Sequence, residues 1–357
     1  MDAKKAMIAM SGGVDSSVAA YLMQRAGFTC VGGTMLLCNE ALLGKSDIPS
    51  PARDASLVAQ RLCIPFYAFE ECEAFCQKVV EPFISAYEAG LTPNPCIFCN
   101  KAIKFGLLLE KALDMGCQYV VTGHYAKIRR DETTGSYLLY KAPDENKDQS
   151  YFLAGLRQEQ LAHILFPLGE LTKEQVRQIA LEQGFVTATK KDSQDICFIP
   201  DGDYFAFMKR YTGKIYPQGD YLDLSGKVVG KHQNAVSYTL GQRKGLGVAL
   251  GAPMYVCAKD MAHNTVTLGP EENLFATTLI AADANFFPFE TLEKPIKVSA
   301  KARYRHKPQE ATVYPMEDGK IKVVFSTPQR ALTPGQAVVL YDGDLVVGSG
   351  TITEVIK

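Results

Sequence analysis

A chain of 357 residues has room for two or three domains at about 150 residues each, and its 47% hydrophobic and 22% charged content is a globular balance that excludes disorder, collagen and coiled coil. With 38 Lys+Arg against 39 Asp+Glu the net charge is −1, so no global field advertises a nucleic-acid partner, and an RNA site has to be a local basic patch. Asp2, Lys4 and Lys5 precede only a short apolar run, so neither a signal peptide nor a membrane span is expected and a cytoplasmic location follows.

Residues 6–10 read as a buried strand and residues 18–27 as the helix after it. Further strands are expected at 29–37, 65–69 and 119–122. Over residues 171–184 a helix is capped by Thr172, completed as a capping box by Gln175 and ended by Gly184. This alternation predicts an α/β domain, a doubly wound parallel sheet, over residues 1–203. Beyond a short helix at 204–211 the texture turns to short β-like runs at 235–238, 254–258, 265–268, 296–302, 320–325, 337–341 and 346–352, punctuated by Gly, Pro, Asp and Asn. Two smaller β-rich domains, 204–284 and 285–357, are expected, the last a barrel.

Between the first strand and helix lies Ser11-Gly12-Gly13-Val14-Asp15-Ser16-Ser17. The Gly pair lets backbone approach an anion, Ser16 or Ser17 is placed to cap the helix, and helix N–H groups face a phosphate. Without the Lys of a kinase-type phosphate loop or a G-x-G-x-x-G, neither γ-phosphoryl transfer nor dinucleotide binding is indicated. The full string resembles the pyrophosphatase loop of enzymes that cleave ATP between its α and β phosphates, and that resemblance implies that Asp15 serves Mg²⁺ or pyrophosphate.

Ten cysteines in a reducing compartment are core residues, ligands or reactive groups. Cys30, Cys38, Cys63, Cys117 and Cys257 lie in or beside apolar runs and read as packing, as do Cys72 and Cys76, which share a helix face without other ligands nearby. Cys96 and Cys99 are different: they follow Asn94-Pro95 and precede Lys101 and Lys104. Cys197 follows Lys190 and Lys191, cations suited to lowering a thiol pKa. Beside a nucleotide loop, such thiols suggest that ATP turns a carbonyl oxygen into a leaving group which sulfur replaces.

The phosphate loop, Asn94-Pro95 with Cys99-Asn100, Thr122-Gly123-His124-Tyr125, Lys147-Asp148-Gln149-Ser150-Tyr151, Asp192-Ser193-Gln194-Asp195-Ile196-Cys197-Phe198, Tyr238-Thr239-Leu240-Gly241-Gln242-Arg243-Lys244-Gly245 and Thr333-Pro334-Gly335-Gln336 occur in this order over nearly the whole chain. The sequence resembles the tRNA-specific 2-thiouridylases of the PP-loop ATP pyrophosphatase superfamily, which exchange the C2 oxygen of the wobble uridine for sulfur. The resemblance implies that Ala9, Met10, Ser11, Gly12, Gly13, Val14, Asp15, Ser16, Met35 and Gly123 hold ATP, with Mg²⁺. It implies that Asn94, Pro95 and the residue at position 96 meet the base, and that His124, Lys147, Asp148, Gln149, Arg303, Tyr304 and Gln336 contact tRNA. Cys197 would carry a persulfide from a cysteine desulfurase or a sulfur-relay protein, and Cys99 would complete transfer, leaving a Cys99–Cys197 disulfide. Many relatives have Asp where this chain has Cys96. The substitution makes Cys96, Cys99 and Cys197 a candidate ligand set for a [4Fe–4S] cluster with one open iron.

Lys301, Arg303, Arg305 and Lys307 alternate as if along one face of a strand, and Gln242-Arg243-Lys244 adds local positive charge. His163, His232, His263 and His306 have no metal-like spacing and read as surface or packing residues. The competing readings are an ammonia-using ligase or amidotransferase, for which the thiols would be expendable, and a non-catalytic nucleotide- or RNA-binding module.

Overall fold

The structure, a computed structural model, describes residues 4–39, 42, 51–190, 196–249 and 251–357. Two compact units emerge. The first takes the chain up to Val79, then Cys96–Phe198 and Gly343–Val347; the second takes Val80–Pro95, Ile199–Asp342 and Gly348–Lys357.

In the first unit, β1 (Lys5–Ala9), β2 (Thr29–Leu36), β3 (Phe66–Glu70), β4 (Tyr119–Val121) and β7 (Ile164–Leu165) form a parallel sheet in the order β3-β2-β1-β4-β7. Ala6, Met7 and Ile8 of β1 are wholly buried, as the centre of a sheet covered on both faces requires. Helix α1 (Val14–Arg25) packs Val18, Ala19 and Ala20 into the same core as Val176 and Ala180 of helix Lys173–Glu182. The latter begins in the expected capping box: Thr172 Oγ1 accepts from Gln175 N at 3.3 Å, and Gln175 Oε1 accepts from Thr172 N at 2.8 Å. Missed by the periodicity was the hairpin of β5 (Ala126–Arg130) and β6 (Tyr137–Lys141), whose alternation is diluted by Lys127, Arg129 and Arg130.

The second unit holds two β modules. In one, β8 (Gly219–Leu222), β9 (Val228–His232), β10 (Tyr255–Asp260) and β11 (Thr265–Gly269) order as β10-β11-β8-β9 around Tyr221, Val256, Val266 and Leu268. In the other, β12 (Phe275–Phe286), β13 (Ile296–Lys301), β14 (Gln309–Pro315), β15 (Ile321–Arg330), β16 (Ala337–Asp342) and β17 (Leu345–Ile356) close into an antiparallel barrel, β12 pairing with both β15 and β17. The expected parallel sheet followed by β-rich modules ending in a barrel is therefore the observed architecture.

Two local expectations fail. Residues 235–238 form a turn, because Asn234 Oδ1 accepts from Ser237 N at 2.7 Å and folds the segment back on itself. The basic run at 301–307 leaves the sheet after Lys301, and His306 N donates to Arg303 O at 3.1 Å in a turn. Its charges therefore share no strand face.

Candidate active site

In the strand order β3-β2-β1-β4-β7 the winding reverses between β1 and β4, and ligands of such sheets bind at the carboxyl edge of that switch point. The loops that leave there are Ser11-Gly12-Gly13 after β1 and Thr122-Gly123-His124 after β4. Gly12 takes φ +69°, and Gly13 is extended (φ −104°, ψ 167°) as α1 starts. The expected side-chain cap is absent: Ser16 and Ser17 lie inside the helix, and their hydroxyls donate back to Gly13 O at 3.1 and 2.9 Å. A helix start without a side-chain cap leaves N–H groups for an anion. Gly123 makes the close approach that completes this corner. A Cβ there would stand 2.7 Å from the backbone carbon of Asp15 and 2.9 Å from Ser16 N.

Asp15 has its cation within the protein. Lys173 Nζ donates to Asp15 Oδ1 and Oδ2 at 2.7 and 2.8 Å, and Tyr125 OH donates to Oδ1 at 2.7 Å. Sequence reading missed both partners, since Lys173 sits 158 positions away on a helix whose pattern announces only a surface face. Lys190 corrects another expectation. Its Nζ donates to Gly12 O at 3.0 Å and pairs with Asp54, so it serves the phosphate loop rather than a thiol. Lys191 and the Asp192-Ser193-Gln194-Asp195 string lie outside the described residues. Met10 N donates to Gly33 O at 2.8 Å, and Met35 lies on β2 opposite Phe69.

The thiols gather on the same carboxyl edge. Cys38 lies two residues beyond β2, the neighbour of β1, and Cys72 two beyond β3, the next strand out, in a sheet whose strands are spaced at about 4.8 Å. Cys96 and Cys99 lie three apart on helix Pro95–Cys99, which Pro95 opens, and the π-helical stretch Asn100–Leu107 follows with Lys104 in it. Phe198 packs edge-on against Phe75 with centroids 5.6 Å apart, which anchors the segment that carries Cys197. A hydrogen bond with Cys38 brings the Cys197 thiol down to about 7 against the opposing effect of burial, with help from Lys104 and the backbone N–H groups of Cys197 and Phe198. The same hydrogen bond raises the Cys38 thiol, as do burial, Cys197, Cys72 and Cys76. Burial pushes Cys99 up to about 12 despite Lys104, and also raises Cys96. Cys38 thus interacts with Cys197 and lies within electrostatic reach of half-buried Cys72 and Cys76, and Cys63 is exposed rather than core.

The expected [4Fe–4S] ligand set does not fit. Among the described residues no group of three or more His, Cys, Asp or Glu side chains is placed to hold a metal ion.

His124 donates or accepts at Thr122 Oγ1 over 2.7 Å between the rings of Phe105 and Phe166; burial, then Lys104, holds it neutral, well below the ordinary imidazole range. Asp148 is buried, accepting from Ala142 N, Ser150 N and Ser150 Oγ, and Gln149 Oε1 accepts from Tyr125 N at 3.0 Å. With Lys147 they form the loop beside helix Ser150–Leu153. In the second unit Gln336 Nε2 donates to Thr92 O at 2.8 Å, and Gly335 (φ +91°) leaves room for Thr92, steadying the strap that leads to Asn94. Arg303 donates to Leu240 O at 3.1 Å and to Thr333 Oγ1, and Tyr304 lies under Lys301 Nζ at 5.2 Å. His163, His232, His263 and His306 hold no metal-like arrangement among the described residues.

A family model described as a tRNA methyl transferase HUP domain matches residues 4–201; a PRC-barrel model of the same series matches residues 206–270 and an aminomethyltransferase beta-barrel model residues 276–352. The tRNA-specific 2-thiouridylase MnmA of Clostridioides difficile (strain 630) is 49% identical over 98% of this chain and 98% of its own length. That of Acetivibrio thermocellus is 48% identical over 99% of this chain and 100% of its own. A solved structure of the U34-tRNA thiolase NcsA from Methanococcus maripaludis with its [4Fe-4S] cluster is 14% identical, covers 59% of this chain and 67% of that one, and reaches a TM-score of 0.35, too remote a likeness to carry its cluster over. On full-length identity this chain belongs to the tRNA-specific 2-thiouridylase family.

Proposed function

We propose that the protein is an ATP-dependent tRNA-uridine 2-sulfurtransferase that thiolates the wobble base at C2. The observation that carries this reading is the meeting of a phosphate loop and a thiol set on one edge of one sheet, with Cys197 as the acidic thiol and Cys99 as the protonated one.

ATP sits on the loop of Ser11, Gly12, Gly13 and Ser16 and against Gly123, its phosphates facing the start of α1 with Lys190 nearby. Mg²⁺ enters with ATP and is assigned no protein ligand, since Lys173 and Tyr125 occupy the Asp15 carboxylate. The C2 oxygen attacks the α-phosphorus and pyrophosphate leaves. At neutral pH Cys197 ionises and takes sulfane sulfur from a donor protein, a cysteine desulfurase or a relay, while Cys99 keeps its proton. The outer persulfide sulfur attacks C2 and AMP departs with the oxygen. Cys99 Sγ then attacks the Cys197 sulfur and gives up its proton to the departing AMP phosphate as the new S–S bond forms; the old S–S bond breaks with its electron pair passing to the sulfur left on the base, and an external dithiol reduces the resulting disulfide.

Asn94, Pro95 and Cys96 would receive the everted base, whose C2 edge is out of reach in a stacked anticodon loop. Lys147, Arg303, Tyr304, Gln336 and His124 lie on segments assigned to tRNA. The division of labour proposed is 1–203 for ATP and sulfur, 204–284 and 285–357 for tRNA. Among the described residues no helix is long and apolar enough to cross a membrane, and action on tRNA fits a cytoplasmic location.

The test is mass spectrometry of tRNA nucleosides from cells lacking the protein, complemented by wild type or by Cys197→Ser. Loss of 2-thiouridine that wild type restores and Cys197→Ser does not is the expected result; restoration by the variant, or a missing methyl group instead, overturns the reading.

A further inference from the structure

Sulfur transfer makes no use of the turn at residues 238–245 of the second unit, yet the fold fastens every carbonyl from Tyr238 to Gln242. Lys259 Nζ donates to Tyr238 O at 2.8 Å, Arg303 Nη2 to Leu240 O at 3.1 Å and Arg330 Nη2 to Gly241 O at 3.4 Å. Gln242 N donates to Thr239 O and Val256 N to Gln242 O, both at 3.0 Å. The Gln242 side chain closes the turn, its Oε1 accepting from Thr239 N and its Nε2 donating to Lys244 O, again at 3.0 Å. Gly241 takes φ +83°, and a Cβ there would stand 2.8 Å from that of Ala331, so the bend needs glycine.

Three cations thus serve the backbone of this turn, while the two within it do not. Arg243 and Lys244 are exposed, and among the described residues neither head group has a hydrogen bond or an ion pair. No carboxylate offsets them locally. Residues 224–259 carry Lys227, Lys231, Arg243, Lys244 and Lys259 and not one Asp or Glu, in a chain whose net charge is −1. Beside the turn runs a groove of about 500 Å³ lined by Arg243, Leu246, Val248, Pro253 and Met254, with no acidic side chain among the described residues of its wall. A backbone already held in place lowers the ordering cost that two long side chains meet on binding. A fixed frame with two exposed cations and no acid beside them suits a polyanion.

We infer that this turn grips the tRNA backbone: Arg243 and Lys244 each meet a phosphate of a ribose-phosphate strand that lies along the groove. Contacts of this kind set the register of the RNA on the protein and read no base. The inference deepens the tRNA reading and rests on it for the identity of the polyanion.

The experiment is equilibrium binding of fluorescent tRNA to the full-length protein from about 50 to about 200 mM salt, without ATP or sulfur donor. Arg243→Ala/Lys244→Ala should weaken binding by about tenfold and lower the slope of log K against log salt by about two, one for each lost phosphate contact. Arg243→Lys/Lys244→Arg keeps both charges and should keep the slope of wild type. Lys227→Ala removes an exposed cation of the same acid-free stretch, beside Asp223, and should change binding far less than Arg243→Ala alone, which separates a site from a diffuse field. The inference is overturned by a double alanine variant with the slope of wild type, which would leave an acidic protein surface as the occupant. It is overturned equally by a charge-keeping variant that loses the slope, or by a Lys227→Ala loss as large as that of Arg243→Ala. In each of these outcomes wild type still binds tRNA, so they stand apart from failure of the thiolation reading; a wild type that binds no tRNA overturns both.

Discussion

Lys173 clamps both carboxylate oxygens of Asp15, at 2.7 and 2.8 Å, joining a helix late in the first unit to the first turn of α1. The lysine side chain is 9% exposed and the aspartate 32%. Removing the cation leaves a half-buried carboxylate beside a site meant for phosphates. Lys173→Met should therefore destabilise the unit by about 1–3 kcal/mol, discounted from the fully buried case for the solvent that reaches Asp15. Urea denaturation measures this, and ATP binding by calorimetry should fall in parallel.

Gly123→Ala places a methyl group against the backbone of Asp15 and Ser16, atoms that cannot move without displacing α1. ATP affinity should drop by about tenfold, equivalent to about 1.4 kcal/mol. Ala at Gly116, which has φ +74° but nothing within 4 Å of a Cβ, should cost stability without touching ATP affinity.

Much of this corner was legible because a Gly pair between a buried strand and a helix carries its chemistry locally. What was not legible came from the sheet. Leu36 and Leu37 make Cys38 look like part of an apolar run, and only the parallel pairing of β2 with β1 and β3 puts it on the carboxyl edge beside the phosphate loop. Lys190 is seven positions from Cys197, so proximity in sequence suggested a thiol partner. In space it turns to Gly12, while Lys104, carried by a π-helical stretch, faces the thiols. The misplaced strand at 235–238 has a similar origin: Ala235, Val236 and Tyr238 are buried, but by a turn that packs them, not by strand pairing.

The two kinds of arginine in the basic turn should separate. Arg303 donates to Leu240 O and Thr333, so Arg303→Ala should cost about 1–3 kcal/mol of stability in chemical denaturation. Arg305 is exposed. If it meets phosphate, Arg305→Ala should leave stability unchanged and lower the slope of log K for tRNA against log salt by about one.

His232 is 2% exposed between the rings of Tyr221 and Tyr238, and burial lowers its pKa below the ordinary value. A histidine kept neutral in the folded state takes up its proton on unfolding, so its environment favours the fold fully above the unfolded value of about 6.5 and progressively less as pH falls below it. Thermal unfolding of wild type should lose more stability between pH 7.5 and 5 than His232→Phe does. Equal losses would mean that the ring ionises freely in place.

The most direct test of the whole account follows labelled sulfur. Protein charged with sulfane ³⁵S should carry the label on the peptide containing Cys197, hold it with ATP alone or tRNA alone, and release it to the uridine C2 position only when both are present. Label on the peptide containing Cys96 and Cys99 from the start, or transfer to tRNA without ATP, would contradict a site in which the phosphate loop and Cys197 act on one activated base.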